Sequence, residues 1–152
     1  MLIALLLLSQ TIAASGDWVA FDRGATCEAV SRSLLVPLKG TEQPRIAIAF
    51  DRVGTRRGEI SFHLHRAVRP GSSVVLTIGE RPFLLSARGG DAWSRGPLQE
   101  AAIIAAIRRE GGMRVEARDE AGRRMVDRYS LSGAPTAIDA AAARCTRPLV
   151  RP

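Results

Sequence analysis

Lysine is nearly missing from this sequence: Lys39 is the only one, and every other basic residue is arginine. Aromatic residues are scarce at 5%. None interleaves with the arginines, which argues against a base-stacking platform for single-stranded nucleic acid, so the core must come from Ile, Leu, Val and Ala. Cysteine occurs only as Cys27 and Cys145, too few for a disulfide-dense scaffold, and neither has a second metal ligand close by in sequence. The sequence has no Gly-x-Ser-x-Gly elbow, and Gly89-Gly90 and Gly111-Gly112 lack the rest of any phosphate-loop fingerprint. No pair of carboxylates stands out, and Ser86, Ser94 and Ser130 sit in ordinary turn or strand contexts. Residue chemistry therefore offers no catalytic constellation, and the expectation is a non-enzymatic protein without a cofactor.

Long apolar runs are few, and one stands near the start. Leu2 to Leu8 is unbroken and is followed by small residues from Thr11 to Ser15. This reads as an export signal over residues 1–14, cleaved after Ala13 or Ala14. The run falls far short of the ~20 residues a spanning helix needs. No Lys or Arg precedes it, the first basic residue being Arg23. The alternative is a buried N-terminal strand or helix. Residues 15–152 then form one domain by size.

Cys27 lies near the start of that domain and Cys145 near its end. In an exported chain the two are expected to form one disulfide; the alternatives are two free buried thiols or, less simply, a metal site. The charge is lopsided, with 22 basic against 15 acidic residues and a net charge of +7. This favours anionic partners such as an acidic glycan or an anionic lipid surface, or an envelope or host protein; export makes nucleic acid the poorest choice.

Most of the chain reads as strands and turns. Runs at 17–22, 27–35, 45–50, 59–66, 73–78, 81–86, 113–118 and 124–131 alternate or are β-rich. The 45–50 and 59–66 pair is the clearest hairpin, and Gly79-Glu80 suits a two-residue turn. One helix interrupts the pattern, from Pro97 to about Glu110. Its centre, Ala101 to Ile107, carries no polar residue, so it is expected to be buried all round. Ser94 or Gly96 can cap it, Pro97 suits its first position, and Gly111-Gly112 can stop it. A short helix, 137–144, carries Cys145 back to the body. The fold class is mainly β: an antiparallel β-sandwich or partly open barrel of about eight strands, one covering helix and a short C-terminal helix.

Two groups of residues are candidates for function. His63 and His65 are two apart on a predicted strand, so both imidazoles could reach one metal, although a solvated strand face is the simpler reading. Glu59 shares that face but lies about 13 Å along the strand, so a third ligand must come from elsewhere. The arginines are the better lead. Arg114, Arg118, Arg124 and Arg128 fall on two consecutive strands and can form one basic sheet face. Arg56 and Arg57 cluster at a turn with Arg52, and Arg66 with Arg69 make a third group. The plain alternative is a solvated face of mixed charge.

Several short motifs carry a resemblance: Asp17-Trp18-Val19 and an early Cys27, Arg69-Pro70-Gly71 ahead of Val74 to Ile78, an apolar helix, then Tyr129-Ser130-Leu131-Ser132-Gly133 with Ala137-Ile138-Asp139-Ala140. In spacing and order the chain resembles the invasion-associated locus B family of small exported bacterial proteins. The resemblance implies an exported all-β fold with a covering helix, a periplasmic or envelope location, and a role in host-cell entry or envelope interaction. It implies no catalytic residues. One departure is that Ser86 to Ala92 lacks the extra cysteines members often carry before the helix.

Overall fold

The computed structural model describes residues 9–146. It is mainly β, with ten strands and two helices. In chain order these are β1 (Gln10–Ser15), β2 (Trp18–Asp22), β3 (Thr26–Arg32), β4 (Arg45–Asp51), β5 (Arg57–His63), β6 (Val74–Ile78), β7 (Arg81–Arg88), β8 (Asp91–Trp93), α1 (Pro97–Ile107), β9 (Gly112–Arg118), β10 (Arg124–Ser130) and α2 (Ala134–Thr146). All strands pair antiparallel in one open sheet of order β1-β2-β3-β4-β5-β8-β7-β6-β9-β10. The sheet curls. Trp18 Nε1 donates to the Ser130 carbonyl (2.9 Å), and the Asp17 and Leu34 amides donate to the Ser132 and Arg128 carbonyls. These bonds bring the end of β10 back against β2 and the β3–β4 loop.

Alternation decides the two faces. Trp18, Ala20, Cys27, Ala29, Ile46, Ile48, Ile60, Phe62, Leu76, Ile78, Val115 and Met125 point inward and are buried. Both helices pack on this inward side. α2 lies across β1 to β4 and α1 across β5 to β7. The hairpins follow the local turn chemistry. β4 and β5 pair from Arg45↔His63 to Phe50↔Arg57. Ile78↔Arg81 flank Gly79-Glu80, with Gly79 at φ 60°. Asp119 closes the β9–β10 turn by accepting the Ala121 and Arg123 amides.

Three expectations differ from the structure. The count is ten strands, because β1 and β8 were not foreseen. β8 is only three residues long, with too few positions for alternation to show, yet it fills the gap between β5 and β7. Five of the six residues of β1 fall within residues 1–14, and Ile12 and Ala13 pack on the core; cleavage after Ala14 would remove most of this strand. Leu2 to Leu8 lies outside the described residues. Finally, α1 is not buried all round. Glu100, Ile103, Ala106 and Ile107 face the core, whereas Leu98 is 91% exposed and Ala101 and Ala105 face water. Alanine is a strong helix former whose methyl costs little in water, so an alanine-rich helix need not be covered.

The expected disulfide is present: Cys27 on β3 is bonded to Cys145 on α2 across 118 residues. Such bonds persist in oxidising, non-cytoplasmic compartments. Among the described residues no helix is long and apolar enough to cross a membrane.

Candidate functional site

The outward face of β2 to β5 carries a half-open concavity. Val19 and Phe21 on β2, Glu28, Val30 and Arg32 on β3, Arg45 and Ala47 on β4 and Ser61 on β5 line a groove of 810 Å³. This is within the usual range for a small-molecule site, about 300–1,000 Å³. Its floor is apolar because β2 is hydrophobic on both faces: Trp18 and Ala20 turn inward, Val19 and Phe21 outward. Neither helix covers this outer side.

Its two ends differ in charge. At one end Arg23 pairs with Glu28 and stacks over Phe21, 4.9 Å from the ring centre. At the other, Arg32 and Arg45 are direct cross-strand partners. Both are exposed, and neither makes an ion pair among the described residues. Like charges directly opposite on a sheet destabilise it. Two free guanidiniums side by side, above an apolar floor, form a receptor for an anion attached to an apolar body.

Most of the arginines named from sequence have other engagements, Arg128 being exposed and without an ion pair among the described residues. Arg114, Arg118, Arg124 and Arg128 do share one face of β9–β10, in the register Arg128↔Arg114 and Arg124↔Arg118. Glu116 sits among them, bonded to Arg114 (2.6 Å) and Arg124 (3.1 Å). The Arg114 guanidinium holds the Glu116 carboxyl below its ordinary value. Arg118 donates to the Gly122 carbonyl. Arg56 is tied to Asp51 and approaches Glu59, and Arg57 bonds three backbone carbonyls at its own turn. Arg66 is likewise held, by Asp119 (2.9 Å).

The histidines do not converge. β5 ends at His63; the Leu64 amide still donates to the Gly90 carbonyl, and the chain bends at His65 and Arg66. His63 lies between two carboxylates, Glu42 on Nε2 (2.7 Å) and Asp91 on Nδ1 (3.0 Å). The His65 ring instead meets the fully buried Asp127, which also accepts the His65 amide. The shared strand face expected for the pair is lost because the strand stops between them. Among the described residues the one cluster of three ligand-type groups is Asp22, Cys27 and Cys145, and its two sulfurs are bonded to each other. Tyr129 Oη is the buried side-chain polar atom without a partner there; burial pushes its hydroxyl far above the usual tyrosine range.

Two carboxylates hold the groove's rim strands together. Asp51 accepts from Thr26 Oγ1 (2.8 Å), the Arg56 amide (2.9 Å) and Arg56 Nε (3.0 Å). The Arg56 guanidinium draws its carboxyl down to about 2. Asp22 is bonded to Arg52 (3.1 Å) and Arg144 (3.0 Å) beside the disulfide; Arg52 foremost holds it well below the carboxylate range. Both folded values lie under the ~3.9 of an unfolded Asp. Their contribution to stability is therefore complete above about pH 4 and is lost as pH falls through the folded values. The melting temperature is expected to fall between about pH 4 and pH 2, and Asp51→Asn to flatten part of that slope, read by thermal circular dichroism.

A glycine-rich or nucleophile motif was not needed to find the groove. Its signal was β2 itself, a short strand apolar on both faces in an antiparallel sheet with too few helices to cover both sides. No protein-family model, curated protein or solved structure matches this chain.

Proposed function

We propose that this is an exported, non-enzymatic binding protein of the cell envelope whose outer-face groove holds an amphipathic anion: an acyl or similarly apolar body bearing a carboxylate or phosphate head. The opposed, unpaired Arg32 and Arg45 at the end of the apolar groove carry this reading. The Cys27–Cys145 bond, the Leu2–Leu8 run and the resemblance to invasion-associated locus B proteins support export and an envelope role. The basic face contributes here through Arg32 and Arg45 rather than through the β9–β10 arginines, whose charge Glu116 partly cancels.

Decyl phosphate, kept below its micelle concentration, is a suitable probe. Calorimetry is expected to show saturable binding at one site, with the neutral decanol much weaker. A charge-assisted hydrogen bond contributes about 1.5–3 kcal/mol, so Arg32→Gln with Arg45→Gln is expected to weaken binding at least tenfold. Raising the salt concentration should weaken it further, because exposed charges are screened. Equal affinity in the double variant contradicts the reading.

A further inference from the structure

The β3–β4 loop presents the largest run of exposed apolar side chains in the described residues. Leu34, Val36 and Leu38 are 63%, 88% and 81% exposed, and Leu35 is 37% exposed. A soluble domain scatters its exposed leucines singly; here four apolar side chains lie within five consecutive residues. Their exposure is built in. Gln43 Nε2 donates to the Ser33 carbonyl (2.9 Å) and the Leu35 carbonyl (2.8 Å). The Leu34 amide is bonded to Arg128 on β10, and Thr41 closes the far side on the Leu38 carbonyl. The backbone is thus pinned on both sides while the side chains are left in water.

The surrounding charge is positive. Lys39 follows directly, and the free Arg32 and Arg45 flank the loop where it leaves β3 and enters β4. The loop's one acid, Glu42, is bonded to His63. Apolar side chains at a tip, ringed by free basic groups, match the boundary of an anionic bilayer: hydrocarbon beneath, phosphate above. We propose that this loop is an interfacial anchor that seats the protein on an anionic lipid surface. Leu34 and Ser33 also line the groove, so docking through the loop sets the groove's open end at the lipid headgroups. The inference rests on the loop's own exposure and charge and does not depend on what the groove holds.

The test is co-sedimentation with vesicles of phosphatidylcholine alone and of equal parts phosphatidylcholine and phosphatidylglycerol. The oxidised protein is expected to partition onto the anionic vesicles at least tenfold more strongly, since each basic side chain near such a surface adds roughly fivefold. Val36→Asp with Leu38→Asp is expected to reduce that partition at least tenfold. Both side chains are almost wholly exposed, so an unchanged near-ultraviolet circular dichroism spectrum verifies the fold. Val36→Ser with Leu38→Ser separates loss of apolar insertion from added negative charge and is expected to lose several-fold. Leu98→Ser removes an equally exposed leucine on α1 and is expected to change nothing. Decyl phosphate binding should survive in the loop variants, which separates failure of the anchor from failure of the groove. Wild-type protein that ignores anionic vesicles, or loop variants that bind them as well as wild type, overturns the proposal. So does a dimer dissolved by Val36→Asp with Leu38→Asp in a protein that ignores vesicles, because the loop would then be covered by a second copy.

Discussion

Removing the disulfide by Cys27→Ala with Cys145→Ala is expected to lower the unfolding free energy by about 4–5 kcal/mol, the entropy of closing a loop of this length in the unfolded chain. The bond spans 118 residues, so nearly every unfolded conformation of the domain is restricted by it. Against a typical total of ~5–15 kcal/mol, the loss leaves a marginal fold. The position of the bond compounds the effect. α2 buries Ala134, Ala137, Ile138, Ala141 and Cys145, a face on which Ile138 is the one large side chain. Each alanine methyl contributes only about 0.8 kcal/mol on burial, so without the bond to β3 the helix has little to hold it. Urea denaturation of oxidised, reduced and double-variant protein reads the magnitude. Amide exchange should show α2 opening before the β3–β5 strands. An unchanged urea midpoint would mean that packing alone fixes α2.

The second large effect lies where β1–β2 meets the start of α2. Gly133→Ala is expected to destabilise by at least about 3 kcal/mol, combining a left-handed backbone penalty with displacement of a neighbouring chain. Gly133 has φ 86°, and a Cβ there would stand 1.8 Å from the Ser15 carbonyl oxygen. Opposite it, Gly16 at φ 52° would place a Cβ 2.4 Å from the Ser132 carbonyl oxygen. The two backbones are in direct contact and are linked by the Asp17 amide to the Ser132 carbonyl (2.9 Å). The obstacles are main-chain atoms, which cannot rotate away as a side chain end can. Gly71→Ala is the control: its φ is 80° but nothing lies near its Cβ position, so it should lose only the ~1–2 kcal/mol of the left-handed conformation. The difference between the two variants in chemical denaturation measures the close contact itself. Equal losses would remove the contact between β1 and the α2 turn from the account.

The same junction shows which parts of the fold the residues disclose in advance. Where alternation is long and turns are marked, as in β4–β5 and β9–β10, strand and inward face follow from pattern alone, but not the register shift at Ala49 and Phe50. The disulfide follows from two cysteines near opposite ends of a chain that carries an export-type run. β1 was hidden because Thr11 to Ser15 has the composition of a cleavage site, and composition does not report the hydrogen bonds that β2 supplies. α1 was misjudged because apolarity and burial part company for alanine. His63 and His65 were expected on one face because no residue between them announces the end of the strand, which the structure places at His63.

The groove was missed for a different reason. Arginine is dense on β9–β10 and at the 52–57 turn. Density is not availability: Glu116, Asp51 and backbone carbonyls occupy much of that charge. Arg32 and Arg45 are thirteen residues apart in sequence and become neighbours only through the β3–β4 register. That neither makes an ion pair among the described residues, although Asp17 lines the same groove, is a tertiary fact. The apolar floor beside them could have been read from Val19, Phe21 and Val30, which face away from the core-forming Trp18, Ala20 and Ala29.

Chemical-shift mapping with decyl phosphate on isotope-labelled, oxidised protein tests the central claim most directly. The account predicts saturable shifts in the amides of Val19, Phe21, Val30 and Ala47 and in the side-chain resonances of Arg32 and Arg45. Shifts confined to Arg114, Arg118, Arg124 and Arg128, with the β2–β5 groove silent, would contradict it.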